Sequence, residues 1–174
     1  MLLMISKMKQ FGLFILALSL FTSCIDLGFE RQQPISGKKL MALPADYAGT
    51  YVNKEDTLII LSDMVISGTD TTLLALDSYM ELREWKDFIF LNSHKLGGNY
   101  WTAIVVTKKE DKLVIYTPNL GEEDNVKLAK KFTVREYYNE QGNLEALIID
   151  PSEKDWKKLL NGPFYEKSAF TKIQ

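Results

Sequence analysis

The chain has 174 residues, and 46% of them are hydrophobic, which is enough for one domain with a substantial core and too much for intrinsic disorder. Its formal net charge of −2 gives no basic excess, so the composition argues against a nucleic-acid-binding protein. One cysteine and one histidine exclude an internal disulfide and the usual zinc sites, and no motif indicates a cofactor.

The first residues have the three-part pattern of a secretory signal peptide. Lys7 and Lys9 form a basic start, and a largely apolar run follows from Phe11 to Leu20. As a helix this run would rise only about 15 Å, roughly half the hydrocarbon core of a bilayer, so a permanent membrane span is disfavoured. We therefore expect residues 1–23 to be a signal peptide that is removed.

The residues that end this segment, Phe21-Thr22-Ser23-Cys24, resemble the lipobox of bacterial lipoproteins, which prefers leucine where this chain has Phe21. The resemblance implies cleavage between Ser23 and Cys24, a lipid joined to the cysteine sulfur by a thioether, and an acyl group such as palmitate on the new amino terminus. Several acyl chains hold a protein stably, whereas one holds it only marginally. The mature protein is therefore expected to be anchored through Cys24 to a membrane of the bacterial cell envelope, facing the periplasm or the cell exterior.

Residues 24–43 show no sustained hydrophobic period, and glycines and a proline interrupt them. We interpret this segment as the lipidated cysteine followed by a flexible tether, which would span roughly 20–25 Å and lift the domain clear of the lipid headgroups. The apolar Phe29 and Leu40-Met41 leave a second interpretation open, in which an N-terminal strand already belongs to the fold. A single β-rich globular domain is expected over residues 44–174.

From residue 47 onward, short β-like segments alternate with turn residues, and this repetition favours an antiparallel barrel or a two-sheet sandwich. β-branched and aromatic residues are enriched in these segments, as strands prefer. The fold class expected is therefore mainly β. The predicted strands are Tyr47–Asn53, Thr57–Leu61, Met64–Ser67, Thr72–Leu76, Tyr79–Trp85, Phe88–Asn92, Tyr100–Thr107, Leu113–Thr117, Phe132–Tyr138, Leu144–Ile149 and Phe164–Ile173.

One short helix is well specified before the last strand. Ser152 and Asp155 resemble a capping box, and an apolar stripe that starts at Trp156 follows them. The sequence Asn-Gly-Pro at 161–163 ends the helix. Because about nine residues are marginal as an isolated helix, Trp156 is expected to pack on the sheet. Acidic residues followed by lysines favour another short helix over Glu122–Lys131.

The order of strands with one late helix and a final strand is similar to the up-and-down barrel of lipocalins. The first strand of this domain contains Gly49-Thr50-Tyr51, where lipocalins carry Gly-x-Trp, so Tyr51 stands where that family has tryptophan. The resemblance covers residues 43–174 and implies a lipocalin-like barrel. A two-sheet sandwich remains the alternative.

Aromatic side chains are the candidates for binding. At strand ends they could line a barrel mouth for an apolar ligand or form a partner surface, although core packing explains most of them. Tyr100-Trp101, directly after Gly97-Gly98, is predicted to be a mobile loop with an amphipathic anchor. His94 and Trp85 are further candidate contacts with a ligand or partner.

No catalytic residue and no metal ligand is predicted. Ser93 and His94 are neighbours that would point to opposite faces of an extended strand, so they do not pair as nucleophile and base. His94 is instead expected on the surface of a loop. Acidic residues cluster at 63–87 and 122–124, beside turns, where solvent exposure is the usual outcome.

These observations lead to two hypotheses. The first is a membrane-anchored lipoprotein whose β domain binds an apolar ligand, a glycan or another envelope protein without catalysis. The second is an envelope hydrolase with paired carboxylates, which a cleft with two facing carboxylates, one with a raised pKa, would favour. A pocket inside the barrel would favour a small ligand, whereas a filled core with an exposed aromatic patch would favour a protein partner.

Overall fold

Strands, nearly all of them antiparallel, make up 49% of the structure, a computed structural model that describes residues 25–68, 70–73 and 79–173. The strands are β1 (Asp26–Phe29), β2 (Lys38–Leu40), β3 (Gly49–Val52), β4 (Thr57–Ile60), β5 (Met64–Ser67), β6 (Asp70–Leu73), β7 (Met80–Trp85), β8 (Phe88–His94), β9 (Trp101–Lys109), β10 (Lys112–Pro118), β11 (Arg135–Tyr138), β12 (Leu144–Ile149) and β13 (Tyr165–Lys172). The helices are a 3₁₀ turn at Ala45–Tyr47, α1 (Glu122–Ala129) and α2 (Glu153–Leu160).

The sheet curls into a half-barrel in the strand order β2-β7-β8-β9-β10-β13-β3-β4-β5-β6, and each neighbouring pair in this order is antiparallel. β1, β12 and β11 form a branch at the start of β9, where Phe29 pairs with Trp101. The prediction of a mainly β, antiparallel, barrel-like fold with a short helix before the last strand is confirmed.

Most strands lie within two residues of their predicted ends, and β11 is the clearest difference. It begins at Arg135, three residues later than predicted. Phe132, at the predicted start, is instead in a turn and packs against the core, with its ring centroid 6.5 Å from that of Phe164. An aromatic residue can therefore support a core from a loop without pairing in the sheet.

The segment predicted as a flexible tether is part of the sheet. β1 runs parallel to β12 on one side and antiparallel to β9 on the other, and its Leu27 and Phe29 are buried in the core. The prediction of a tether over residues 24–43, with a domain beginning only at residue 44, is therefore wrong, and the N-terminal strand is present. Four residues are too few to show a hydrophobic period, since only two of their side chains enter the core.

Polar contacts hold the chain between β1 and β2 in one position. The side-chain oxygen of the fully buried Asn92 accepts a hydrogen bond from the Gln33 backbone N–H at 2.6 Å, and Nδ2 donates to the Gln33 carbonyl at 2.8 Å. Arg83 donates to the carbonyl oxygens of Pro34 and Ile35 at 3.2 and 2.7 Å. The turn residues that indicated flexibility therefore form a fixed connection, because these side chains satisfy its backbone groups.

The sheet buries side chains on both of its faces. Along β9, Trp101, Ala103 and Val105 pack on one face, and Ile104 and Val106 point to the other, as the two-residue period of a strand requires. The first face is covered by α2, and we call it the helix face. On the second face, residues from both ends of the curled sheet meet, so it is the inner face of the half-barrel.

α2 forms as predicted, and its apolar side fills the helix face. The Asp155 carboxylate accepts hydrogen bonds from the backbone N–H and the hydroxyl of Ser152, which completes the predicted capping box. Trp156 is fully buried, with its ring centroid 4.6 Å from Phe90 and 5.4 Å from Phe29. This one side chain therefore connects α2 to β8 and β1. The second predicted helix is present as α1.

Candidate functional site

An apolar groove lies on the inner face of the half-barrel. Its cavity volume is about 170 Å³, and part of it is open to solvent. Eleven side chains from both ends of the curled sheet line it, of which ten are aliphatic and one is aromatic. The lining residues are Leu43, Tyr47, Leu58, Ile60, Val65, Leu82, Ile89, Leu91, Ile104, Val106 and Ile115.

The groove exists because the strands beneath it are apolar on both faces. In β8, Phe88 and Phe90 pack on the helix face, while Ile89 and Leu91 line the groove. A strand with one face in water would carry polar residues at alternate positions. None of the eleven lining residues was predicted as a site residue. Uninterrupted apolar runs, such as residues 88–91 of β8, were the sequence signal that could have found them.

The groove has a buried floor and an accessible rim. Leu58, Ile60 and Ile89 are buried at its base, whereas Ile104, on the rim, is 36% exposed. A ligand could therefore reach the rim without any strand being displaced.

Among the described residues, no charged side chain lines the groove. Tyr47 supplies the one polar side-chain atom among the lining residues. Burial, and then the neighbouring Asp46 carboxylate, raise the pKa of Tyr47 to about 12, so its hydroxyl stays protonated at neutral pH. The lining residues can bind by burial of apolar surface, and they include no acid, base or nucleophile suited to catalysis.

A charged cluster lies on the opposite face of β7 from the groove. Glu81 is buried, and its carboxylate accepts hydrogen bonds from Lys39 Nζ at 2.7 Å and from Arg83 Nε at 2.6 Å. Burial opposes ionisation, but the two hydrogen bonds and the two positive charges outweigh it, so the pKa of Glu81 lies below its usual value. A carboxylate that stays ionised is poorly suited to act as a general acid, and this one fastens β2 to β7.

A second polar network fastens β1 to the hairpin between β8 and β9. The Tyr100 hydroxyl lies 2.9 Å from Asp26 Oδ2 and 3.1 Å from Glu145 Oε1, and Lys95 Nζ lies 2.9 Å from the same Asp26 oxygen. Burial, and then the carboxylates, raise the pKa of Tyr100, so it stays protonated. A Cβ at Gly28 would lie 3.0 Å from the Tyr100 ring and 3.0 Å from Ile148 Cγ1, so a larger residue there would require one of these side chains to shift.

The structure places the four predicted contact residues away from the apolar groove. Tyr100, Trp101 and Trp85 are buried and Trp101 begins β9, so the prediction of a loop with an amphipathic anchor at Tyr100-Trp101 is wrong. The backbone N–H of Lys95 donates to the Tyr100 carbonyl and closes the hairpin just before Trp101. His94 is the last residue of β8 and half-buried, not on the surface of a loop, with its ring centroid 4.9 Å from that of Trp101.

The predicted cleavage and lipidation residues, Ser23 and Cys24, lie outside the described residues.

The described residues contain neither a metal site nor a membrane-spanning helix. Within residues 25–68, 70–73 and 79–173, no group of three His, Cys, Asp or Glu side chains is placed to hold a metal ion. In the same part of the chain, no helix is both long enough and apolar enough to span a bilayer.

Comparison with known proteins identifies no relative of this chain. No family model matches it, and no curated protein or solved structure is significantly similar to it. The functional conclusion therefore depends on the groove and on the sequence features described above.

Proposed function

We propose that the protein is a lipoprotein of the bacterial cell envelope, anchored through acyl groups on Cys24, and that its half-barrel binds a hydrocarbon chain without catalysis. The observation that carries the binding proposal is the apolar groove, which is partly open and whose described lining residues are all uncharged. Small-molecule sites are usually concave and mostly apolar, with polar groups only where the ligand requires them. A groove of this composition therefore fits a ligand that is itself apolar.

The size and chemistry of the groove favour a narrow hydrocarbon such as a fatty acyl chain over a glycan. Its volume of about 170 Å³ is close to that of an engineered apolar cavity of about 150 Å³ that binds benzene. A glycan would lose its hydrogen bonds with water there, and among the described lining side chains only the Tyr47 hydroxyl could replace one. An acyl chain has no such bonds to lose, and it can extend along the open rim.

Burial of an acyl chain sets an upper limit on the affinity. It contributes about 0.8 kcal/mol per methylene group, so eight to ten buried methylenes would contribute roughly 6–8 kcal/mol. The loss of translational freedom and the ordering of the chain offset part of this. The dissociation constant for one long-chain fatty acid is therefore expected to lie well above about 1 μM.

The proposal for the anchor rests on the basic start, the apolar run and the lipobox-like residues that end in the chain's one cysteine. In its own host, the full chain with Cys24→Ser is expected to lack acyl groups by mass spectrometry and to leave the membrane fraction for the soluble one. A variant that still sediments with membranes at high salt would contradict the anchor.

The proposal for the groove is tested on a soluble form, residues 24–174 with Cys24→Ser, titrated with a fluorescent long-chain fatty acid. Ile104→Asp puts a charge on the rim and is expected to weaken binding about tenfold or more, because the charge must be desolvated beside the ligand. Leu96→Asp is the matched control, since Leu96 is 79% exposed and lies outside the groove. With both variants folded by circular dichroism, equal binding to the two would refute the groove as the site.

A further inference from the structure

The chain is already fixed in the fold at residue 25. Ile25 forms an antiparallel bridge with Leu120, and its side chain packs against the same core as Leu144. β1 starts at the next residue, Asp26. Since consecutive Cα atoms are about 3.8 Å apart, a lipid on Cys24 would leave no slack between the bilayer and the fold.

We propose that the surface around Ile25 rests directly against the lipid bilayer, an inference that depends on the proposed lipid on Cys24. We call this surface the anchor face. The polar headgroup layer on each side of a bilayer is about 5–7 Å thick, which exceeds the length of the one peptide unit between Cys24 and the fold. The domain is therefore held at the headgroups and is not lifted away from them. The residues that define the anchor face are Ile25, Val126, Tyr138 and Leu144.

Exposed apolar side chains of the anchor face lie at the same end of the sheet as Ile25. Val126 is 58% exposed and Tyr138 is 53% exposed. Tyr138 pairs with Leu144 across β11 and β12, and Leu144 lines the same cleft as Val126. Because β1 and β12 are parallel neighbours, both strands start at this end of the sheet. Tyrosine is enriched at membrane–water interfaces, where its ring is shielded and its hydroxyl is hydrated.

Charge does not account for this contact. Glu136 lines the cleft between Val126 and Leu144 and accepts a hydrogen bond from the Tyr138 hydroxyl at 2.6 Å. Without residues 1–23 the chain keeps 19 basic and 23 acidic residues, so it has no net attraction to anionic lipid. The contact is therefore enforced by the anchor and by apolar side chains, and it should persist at high salt.

Site-directed spin labelling on vesicles tests this orientation. In the lipidated protein the Cys24 sulfur is blocked, so a cysteine introduced by Val126→Cys or Tyr138→Cys is the one free thiol for a nitroxide. Asp111→Cys is the control, because the seven residues of β10 place the turn that holds Asp111 about 20 Å or more from the anchor face. Each labelled protein is reconstituted in vesicles of phosphatidylethanolamine and phosphatidylglycerol, and collisions with a water-soluble nickel chelate are measured.

The comparison for each position is the same label in the soluble form that carries Cys24→Ser. Labels at 126 and 138 are expected to collide with the chelate about threefold less often on vesicles, whereas the label at 111 should not change. Protein that floats with the vesicles while all three labels remain as accessible as in solution would overturn the orientation and leave the anchor intact. Protein that does not float, with an unmodified Cys24 by mass spectrometry, would overturn the anchor and the orientation together.

Discussion

Replacing Phe29 with alanine tests whether the N-terminal segment belongs to the core. Phe29 is fully buried in β1, and its ring lies against Trp156 of α2 with the centroids 5.4 Å apart. Truncation of a phenylalanine in a packed core lowers the free energy of unfolding by about 3–5 kcal/mol. In a domain of this size the corresponding decrease in Tm is roughly 10 °C. A flexible tether would instead predict a change within about 0.5 kcal/mol.

The measurement is urea unfolding of the soluble form, followed by tryptophan fluorescence, since Trp156 reports on the same core. Ile35→Ala is the control, because Ile35 is exposed in the connection between β1 and β2. It should change the free energy of unfolding by less than about 0.5 kcal/mol. A loss of less than about 1 kcal/mol for Phe29→Ala would mean that β1 does not contribute to the folded core, and the account of this segment would be refuted.

Three further substitutions probe the polar and steric contacts of the fold. Because the folded-state pKa of Glu81 lies below its usual value of 4.5, its carboxylate stabilises the fold above that pH, and this contribution is lost as the pH falls through the folded-state pKa. Glu81→Gln should therefore lower the free energy of unfolding at pH 7 by about 1–3 kcal/mol. Below about pH 5, the free energy of unfolding should fall less steeply with pH in this variant than in the wild type. The same pH dependence in both proteins would contradict the reasoning. Asn92→Ala leaves the Gln33 backbone groups unpaired and should lower the free energy of urea unfolding by about 1–3 kcal/mol. Proteolysis of this variant should begin near Gln33. Unchanged protection of that segment would argue against a fixed connection between β1 and β2. Gly28→Ala should lower Tm through a loss of about 1–3 kcal/mol, because its Cβ would crowd the Tyr100 ring, and a neutral result would show that the ring can move.

The features that the sequence predicted well depend on local signals. The capping residues and the spacing of the apolar stripe in α2 lie within nine residues of each other, and these residues form the helix face contact through Trp156. The hairpin between β9 and β10 is similarly local, since a short charged turn joins two apolar runs. In such elements, the hydrophobic pattern along the chain is enough to predict which side chains pack in the core.

The features that the sequence did not predict depend on distant partners. β1 is a strand because β12, about 120 residues later in the chain, pairs with it and buries Leu27 and Phe29. The groove depends on how far the sheet curls, since β4 and β8 each supply part of its lining from different regions of the chain. The glycines before Tyr100 predict a loop with an amphipathic anchor, but Tyr100 is buried, with its ring close to Gly28 of the distant strand β1.

The most direct test of acyl-chain binding in the groove is photo-crosslinking with a fatty acid that carries a diazirine in the middle of its chain. The soluble form is irradiated with this probe, and the modified residues are located by mass spectrometry. Labels are expected on groove residues such as Leu91, Ile104 and Val106, and an excess of unlabelled fatty acid should remove them. Labels that resist competition and fall on exposed apolar residues outside the groove, such as Leu96 and Ile173, would contradict the proposal.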